Sequence, residues 1–408
     1  MDPEQAQRAR MIGQRVKRIR QARDKKLVVV AGLAGMSKSK LDNIERGETA
    51  LDKLSDIIAL AAALDVAPGD LVRLPLPAPA NGHTDATIEA VGRALDAIED
   101  EDPDGLVLPV AVLREQVSRL HARLRAGQFA ELATDLPGLI RSLHTTLNTG
   151  TDHAELLDLA VYLQVHVTRI WLFHAGAHTQ LLRRVAFLAQ RLARERDEVT
   201  TLAMARLGVA FVLLRGGEVQ RGQAKLDSII LPPTTAATAG LACMVTASHS
   251  MTAVLDRRPG DAAAPMEATA ELVARFGSTG KVDSRGFLYG PVHEGIDKMW
   301  LALETDEPDE AVRVTQGLNP SPHPIAVNRA LVWVLSGRAL AQLPGRQDDA
   351  VRALRTAERI QPTLVLRNQA VRETLGELLT RRSVRGAMGV ELRGMAYRAG
   401  VLTEQFTA

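Results

Sequence analysis

A short run of hydrogen-bonding side chains follows a Gly-Met-Ser step in the N-terminal part of the chain. It contains Lys38, Ser39, Lys40 and, three residues further on, Asn43. These side chains can donate to and accept from base edges in the major groove of DNA, and the lysines can also neutralise phosphates. Their types and spacing therefore predict a nucleic-acid contact carried by one short helix.

The neighbouring residues predict where this helix begins and ends. Ser37 is a favoured N-cap residue, so we expect the helix to begin at Lys38. Gly47 lies at the usual position of a glycine cap at the C-terminus. Leu41 and Ile44 are three residues apart and would bury one face. The opposite face, which carries the polar side chains, would then be available to DNA.

Apolar residues at helical spacing predict further short helices on both sides of this segment. One covers 11–23, and a second, with Leu33 on its apolar face, ends at the Gly35 turn. A fourth helix covers roughly 51–64, and a short fifth helix begins at Pro68. The third of these five helices is the polar one, so the order of elements is that of a helix-turn-helix.

The combined spacing resembles the lambda-repressor/Cro-like, or Xre-family, DNA-binding domain. The matching features are Ala34-Gly35-Met36-Ser37, then Leu41, Ile44 and Glu45-Arg46-Gly47. The resemblance implies a five-helix head whose third helix enters the major groove of a double-stranded DNA operator. The second helix departs from the family pattern, because Lys26-Leu27-Val28-Val29 stands where a polar residue usually contacts phosphate. That contact is therefore expected from Lys25 or Lys26.

Positive charge is concentrated in the same part of the chain. Residues 1–73 carry 14 Lys and Arg against 10 Asp and Glu, whereas the remainder carries 36 against 38. A DNA-binding head needs such an excess because phosphate contacts supply much of the affinity. The candidate DNA-binding residues are Lys38, Ser39, Lys40 and Asn43 at base edges or adjacent phosphates, Arg18, Arg20, Lys25, Lys26 and Arg46 at the DNA backbone, and the N-cap Ser37.

A proline-rich stretch at 74–83 marks a domain boundary, because such a sequence is extended and semi-rigid. We predict a helix-turn-helix domain at 1–73, a linker at 74–86 and a helical domain at 87–408. The last of these is rich in Leu, Ala and Arg and has few strand signals, so the predicted fold class is all-α.

The helical domain contains a pattern typical of tetratricopeptide repeats. Its clearest copy has small and large residues alternating up to a proline, at Ala350, Leu354, Ala357 and Pro362. Most of the chain resembles actinobacterial Xre-family regulators with a tetratricopeptide-like C-terminal domain, which implies a helical solenoid. The matching features are Tyr289-Gly290-Pro291, the acidic turn before Ala311, the segment 357–362 and the basic tail at 381–400. A helical bundle without repeats is the alternative.

A weaker pattern predicts a ligand groove on the concave face of this solenoid. If Gly208 and Gly337 are matching packing positions, five neighbouring residues would face the groove. These residues are Ala205, Val209, Val212, Val334 and Arg338. Such a surface is apolar with one cation, which suits a peptide or a small metabolite. Packing of the same residues against neighbouring helices is the alternative.

Other kinds of chemistry lack support in the sequence. No phosphate loop or nucleophile elbow is found, so we expect no enzyme and no cofactor. His174 and His178 are spaced as a helical zinc pair, but Gly176 between them predicts a turn, so we expect no metal site. Cys243 stands alone in an apolar run and is expected to be buried. No run reaches the length of a membrane helix, and we expect a cytoplasmic protein.

These patterns together favour a transcription regulator that binds a specific DNA sequence as a homodimer. One module reads only a few base pairs, and two modules one helical turn apart supply the missing specificity. The helical domain would dimerise and would respond to a peptide or small-molecule effector. The alternative is a protein–protein scaffold or antitoxin-like protein whose solenoid binds a protein partner.

Overall fold

Every regular element in the described part of the chain is a helix. The computed structural model describes residues 3–49, 51, 54–66, 70–71, 82–231, 234–276, 286–380 and 386–401. The predicted all-α fold class is therefore confirmed.

Contacts between helices divide the chain into two compact units, which we call the head unit and the helical unit. The head unit contains Met1–Ala80, Ala341–Arg355 and Gln369–Ala408, and the helical unit contains Asn81–Leu340 and Thr356–Asn368. This division differs from the predicted domains, because two C-terminal segments belong to the head unit. Within the predicted linker, residues 82–86 are helical, and 74–81 lie outside the described residues.

The head unit begins with four short helices that match the predicted order. They are α1 (Pro3–Ala22), α2 (Leu27–Leu33), α3 (Lys38–Arg46) and α4 (Leu54–Leu64). The predicted fifth helix begins at Pro68, which lies outside the described residues, although Asp70 and Leu71 just beyond it are helical.

The remaining helices range from 5 to 19 residues in length. They are α5 (Gly82–Glu99), α6 (Val110–Ala126), α7 (Phe129–Leu147), α8 (His153–Tyr162), α9 (Arg169–His174), α10 (Thr179–Arg196), α11 (Val199–Arg215), α12 (Val219–Asp227), α13 (Ala239–Leu255), α14 (Ala263–Phe276), α15 (Pro291–Glu304), α16 (Pro308–Gln316), α17 (Ala326–Gln342), α18 (Gln347–Ile360), α19 (Pro362–Leu366), α20 (Gln369–Thr380) and α21 (Gly386–Arg398).

An apolar core holds the first four helices together. Val16 of α1, Val30 of α2, Leu41 of α3 and Leu60 of α4 are all fully buried in one cluster. Each such side chain contributes about 1.5–3 kcal/mol when it leaves water. The core is assembled from every one of the four helices, so the position of α3 depends on the other three.

Two glycines allow α1 to cross the end of α3 at very short distance. A Cβ atom at Gly13 would lie 2.1 Å from the carbonyl oxygen of Ile44, and one at Gly47 would lie 2.6 Å from the Cα of Arg10. Gly47 also has a φ of 75°, which is the left-handed region that favours glycine. The crossing therefore depends on the absence of side chains at both positions.

We expect Gly13→Ala to destabilise the head unit by at least about 1–3 kcal/mol, because the new methyl group would overlap the backbone of α3. Gly32→Ala on α2 is the matched control, since a Cβ there meets nothing within 4 Å. That change should stabilise the helix by up to about 1 kcal/mol. Thermal unfolding of both variants measures the difference. Equal stability of the two would contradict the close crossing.

Ion pairs join the C-terminal segments of the head unit to its N-terminal helices. Arg23 donates through Nη1 to the Oε1 of Glu391 at 2.6 Å and through Nη2 to the backbone oxygen of Asp65 at 3.0 Å. Arg355 pairs with the Asp65 carboxylate, and its Nε lies 3.3 Å from the Oε2 of Glu391. Burial opposes ionisation of Asp65, but the charges of Arg355 and Arg398 lower its pKa below the ordinary value.

Helix α21 also packs on the N-terminal part of the head unit through other contacts. Arg393 forms a 2.6 Å ion pair with Asp70, and Val390 packs against the apolar core of the first four helices. A Cβ at Gly394 would lie 2.9 Å from the backbone oxygen of Asp65. The head unit is therefore built from both ends of the chain.

We expect Arg355→Ala to destabilise the head unit by about 1.5–3 kcal/mol, because Asp65 loses a charged hydrogen-bonding partner and Glu391 loses a paired cation. Arg346→Ala is the matched control, because Arg346 directly precedes the helix that carries Arg355. This change removes only an exposed pair with Asp349 and should change stability by less than about 0.5 kcal/mol. Thermal unfolding followed by circular dichroism is the measurement. A smaller loss for Arg355→Ala than for Arg346→Ala would show that the network does not stabilise the head.

Consecutive helices of the helical unit pack in pairs. The contacts are extensive between α10 and α11, between α11 and α12, and between α13 and α14. Small residues allow close approach, since a Cβ at Gly222 of α12 would lie 2.6 Å from the side chain of Leu214 of α11. Pairwise packing of this kind agrees with a helical-repeat arrangement, and the tetratricopeptide assignment stays a prediction.

The helix that runs through His153–His174 contains an irregular turn. Residues Leu163–Thr168 between α8 and α9 are π-helical, a geometry that occurs often at functional sites. The whole helix His153–His174 is the one helix of the described residues that is long and apolar enough to span a membrane, with a mean hydropathy of 1.3. Two thirds of its apolar window is buried inside the protein, as in a core helix.

Candidate nucleic-acid interface

Helix α3 is capped at both ends as the sequence predicts. Ser37 is extended, and its side chain accepts a hydrogen bond from the backbone N–H of Lys40 at 3.1 Å. At the other end, the N–H of Gly47 donates to the carbonyl oxygen of Ile44 at 3.0 Å. Ile44 and Leu41 are buried. The predicted boundaries and the predicted buried face are therefore confirmed.

The first residues of α3 present their polar side chains to solvent. Lys38 and Ser39 are exposed, as a major-groove contact requires. Lys40 is half-buried, and its Nζ forms a 2.8 Å ion pair with the Oδ2 of Asp56 on α4. A DNA phosphate would therefore have to compete with Asp56 for Lys40.

The predicted residues at the end of α3 are engaged with each other. Asn43 accepts a 2.6 Å hydrogen bond through Oδ1 from the Nη2 of Arg46. The same guanidinium lies 3.2 Å from the carboxylate of Asp42 and 3.3 Å from that of Glu48. Because the side chains of Arg46, Asp42 and Glu48 are each about half exposed, these contacts are weak in water and can be exchanged for contacts with DNA.

Arg20 has a structural partner that the sequence did not reveal. Its Nε and Nη2 donate to the two oxygens of Glu45 at 2.6 and 2.9 Å, and Nη1 donates to the backbone oxygen of Lys25 at 2.9 Å. The side chains of Arg20 and Glu45 are only 14% and 4% exposed. The hydrogen bond to Glu45 raises the pKa of Arg20, and burial opposes this. This pair fastens α1 to α3, so Arg20 is not available to the DNA backbone.

The other predicted backbone contacts divide into one internal and two surface positions. Lys25 donates through Nζ to the carbonyl oxygen of Ala63 at 2.7 Å, so it holds α4 in place. Lys26 is exposed at the N-cap of α2, and Arg18 is exposed on α1. Of these three residues, Lys26 and Arg18 are therefore accessible to phosphate.

The outer face of α2 is apolar. Val28, Val29 and Leu33 are 58%, 48% and 65% exposed, although Leu33 was expected on the buried face. The buried residues of this helix are Val30 and Ala31. The orientation of α2 therefore differs from the predicted one in the position of Leu33.

The predicted ligand groove needs a correction. Its four apolar residues lie in the core of the helical unit, each at most 1% exposed, and so they line no accessible surface. These residues are Ala205, Val209, Val212 and Val334. The prediction treated Gly208 as a position where two helices pack together. A Cβ atom built at Gly208 would instead lie 3.6 Å from the Nε of Arg169. The accessible face of α11 is therefore a different one, and Arg338 alone of the five is half-buried.

The turn predicted at Gly176 and the burial predicted for Cys243 are confirmed. Helix α9 ends at His174, Gly176 has a φ of 75°, and His178 caps the next helix, so the two histidines lie on separate helices. Cys243 is buried, and this burial raises the pKa of its thiol to about 11.

We expect Glu45→Ala to destabilise the head unit by about 3–5 kcal/mol, because it leaves the buried charge of Arg20 without its carboxylate. Asp42→Ala on the same helix removes only an exposed pair with Arg46 and should change stability by less than about 0.5 kcal/mol. Chemical unfolding of both variants gives the two free energies. A loss below about 1 kcal/mol for Glu45→Ala would contradict the structural role of the pair.

Comparison with known proteins agrees with the geometry of the head. Residues 12–74 match a family described as a helix-turn-helix domain. This part of the chain is therefore a helix-turn-helix domain with α3 as its third helix. No curated protein matches the chain in sequence.

Two solved structures are similar to this chain at low identity and low TM-score. One is Bacillus thuringiensis PlcR in complex with the peptide PapR7 and DNA, at 12% identity and a TM-score of 0.33, covering 79% of this chain and 99% of that one. The other is the apo form of the competence regulator ComR from Streptococcus vestibularis, at 13% identity and a TM-score of 0.29, covering 82% of this chain and 97% of that one.

Proposed function

We propose that this protein is a sequence-specific DNA-binding transcription regulator of the cytoplasm. It acts as a homodimer, and a ligand of the helical unit modulates its affinity for a double-stranded DNA operator. The observation that carries the proposal is the capped helix α3 in a helix-turn-helix domain, with Lys38 and Ser39 exposed at its start. A helix of this kind places its first residues against base edges.

The exposed residues have distinct parts in this proposal. Lys38 and Ser39 contact base edges or the adjacent phosphates, with Ser37 at the same end of the helix. Lys26 and Arg18 contact the DNA backbone from α2 and α1. A further set contacts DNA only after exchanging internal partners. This set is Lys40, Asn43 and Arg46.

We expect Lys38→Ala to weaken binding to the preferred duplex by about 1–3 kcal/mol while binding to unrelated DNA weakens less. The duplex is selected from a random library with the full-length protein, and fluorescence anisotropy measures Kd at several salt concentrations. Arg18→Ala should weaken both duplexes alike and reduce the salt slope by about one unit. Arg93→Ala, at an exposed position of α5, is the control and should change neither. Unaltered discrimination by Lys38→Ala would overturn its assignment to a base edge.

Asp56→Asn tests whether Lys40 reaches DNA. The change removes the carboxylate that pairs with Lys40 and also a negative charge from the head, so DNA affinity should rise severalfold. Asp56→Asn combined with Lys40→Ala separates the two causes. If the gain persists in the double variant, only the general charge is responsible and Lys40 makes no contact with DNA.

A protein-binding role is a second candidate function, and the exposed apolar face of α2 favours it. Val28, Val29 and Leu33 lie together on that helix, and apolar surface of this kind often marks a protein interface. Absence of any preferred sequence in the duplex selection would favour this second function over the first.

A further inference from the structure

Two arginines of the helical unit stack on the same phenylalanine ring. The guanidinium carbon of Arg169 on α9 lies 4.9 Å from the centre of the Phe211 ring, and that of Arg215 on α11 lies 5.5 Å from it. Arg215 also lies 5.4 Å from the ring centre of Phe173 and 5.6 Å from that of Trp300. Rings from three helices therefore hold two guanidinium groups together, and we call this set with Arg338 the arginine–aromatic cluster.

Solvent reaches the arginine–aromatic cluster even though protein surrounds it. Arg215 is exposed, and Arg169, Phe173 and Phe211 are half-buried. Burial nevertheless lowers the pKa of Arg169 to about 10 and lowers that of Arg215 below its usual range. The neighbouring His174 has its pKa lowered to about 3 by burial and by the charges of both arginines. Part of the cluster is therefore reachable from solvent while its cations are crowded by neighbouring protein groups.

The stacked arginines retain donors for a ligand. An arginine on an aromatic ring uses the face of its guanidinium, and the N–H groups along the edge stay available. The Nε of Arg169 is buried and has no hydrogen-bond partner among the described residues. A carboxylate or a phosphate accepts two parallel hydrogen bonds from such an edge. The geometry therefore suits an anion.

The charge of the arginine–aromatic cluster also calls for an anion. Arginine does not lose its proton in proteins, so the cost of crowding these cations is not relieved by deprotonation. Burial is the main cause of the lowered pKa of Arg215. The charge of Arg338 lowers this pKa further, and the charge of Glu304 on α15 partly opposes the decrease. The positive charges of three guanidinium groups are therefore only partly neutralised by the one carboxylate of Glu304.

We propose that the arginine–aromatic cluster binds an organic anion, a carboxylate or phosphate attached to a flat apolar group. The guanidinium edges of Arg169 and Arg215 receive the anion, and the half-buried rings of Phe173 and Phe211 receive the apolar group, beside the buried Trp300 on which Arg215 also stacks. The site rests on the proposed function in one respect, since its ligand is the effector that modulates DNA binding. The π-helical turn just before Arg169 is a further feature of this region, because it sets the direction in which α9 presents its side chains.

Three small probes test this site on the full-length protein. N-acetylphenylalanine carries a carboxylate, its amide is the neutral counterpart, and phenyl phosphate carries a phosphate. Calorimetry and Trp300 fluorescence measure binding, and a Kd of about 1 mM or below is expected for anions of this size. The amide should bind at least about tenfold more weakly, because it lacks the charged hydrogen bonds. Tighter binding of one anion identifies a peptide-like carboxylate or a phosphate as the natural group.

Two variants and a control make the result specific. Arg215→Met keeps the apolar stem and should weaken both anions at least about tenfold. Glu304→Gln removes the opposing carboxylate and should strengthen them severalfold, a gain that loss of folding cannot produce. Arg206→Met on the same helix α11 removes a guanidinium that bonds the Ser228 carbonyl at 2.5 Å, outside the cluster, and should have no effect.

Equal binding of the acid and the amide, absence of binding by both anions at millimolar concentration, or weaker binding in Glu304→Gln would each overturn the site. DNA affinity is measured separately on the selected duplex, with and without the anions. If the anions bind in the predicted pattern and DNA affinity stays constant, the anion site stands and ligand control of DNA binding is the part that fails. If the protein selects no duplex, the same binding data still decide the site.

Discussion

The buried ion pair between Arg20 and Glu45 is the interaction on which the exposed face of α3 depends. It joins α1 to α3 at the point where Gly13 and Gly47 bring the two backbones together. A carboxylate and a guanidinium in this environment are stable only as a pair, so the two helices have one favoured register. Lys38 and Ser39 at the opposite end of α3 are thereby held at a set angle to the rest of the head.

The arginines discussed above have different partners in the two units of the chain. In the head unit, Arg20, Arg23 and Arg355 each have a carboxylate within reach, and their charges serve cohesion. In the helical unit, Arg169 and Arg215 are surrounded mainly by aromatic rings. Rings attract a cation but do not neutralise its charge, so the positive potential remains available to an anion.

Local signals made the ends of α3 predictable from sequence. Ser37 and Gly47 act on the residues next to them, so their types alone specify where a helix begins and ends. The partner of Arg20 was not predictable, because Glu45 lies 25 residues away and on another helix. The residue type of a glutamate near the end of a helix fits an exposed position equally well. Only the packing of α1 on α3 buries Glu45.

The face that α11 exposes was also beyond the sequence, since a helix of Ala, Val and Leu has no strongly polar side to indicate its rotation. Ala205 and Val209 were therefore assigned outward, and the structure buries both. One signal for the arginine–aromatic cluster was present in the sequence. An arginine and a phenylalanine occur four residues apart on two helices, as Arg169 with Phe173 and Phe211 with Arg215, and residues at that spacing share a helix face.

The head unit draws on parts of the chain that a ribosome makes at very different times. Arg23 and Glu391 are separated by 368 residues. At about 5–20 residues per second, translation of that interval takes on the order of tens of seconds. During this period Arg23 and Asp65 exist without Glu391 and Arg355. The N-terminal helices are thus made first, but their charged network closes last, after the helical unit has emerged. A nascent chain consequently acquires its finished head only after Glu391 has been made.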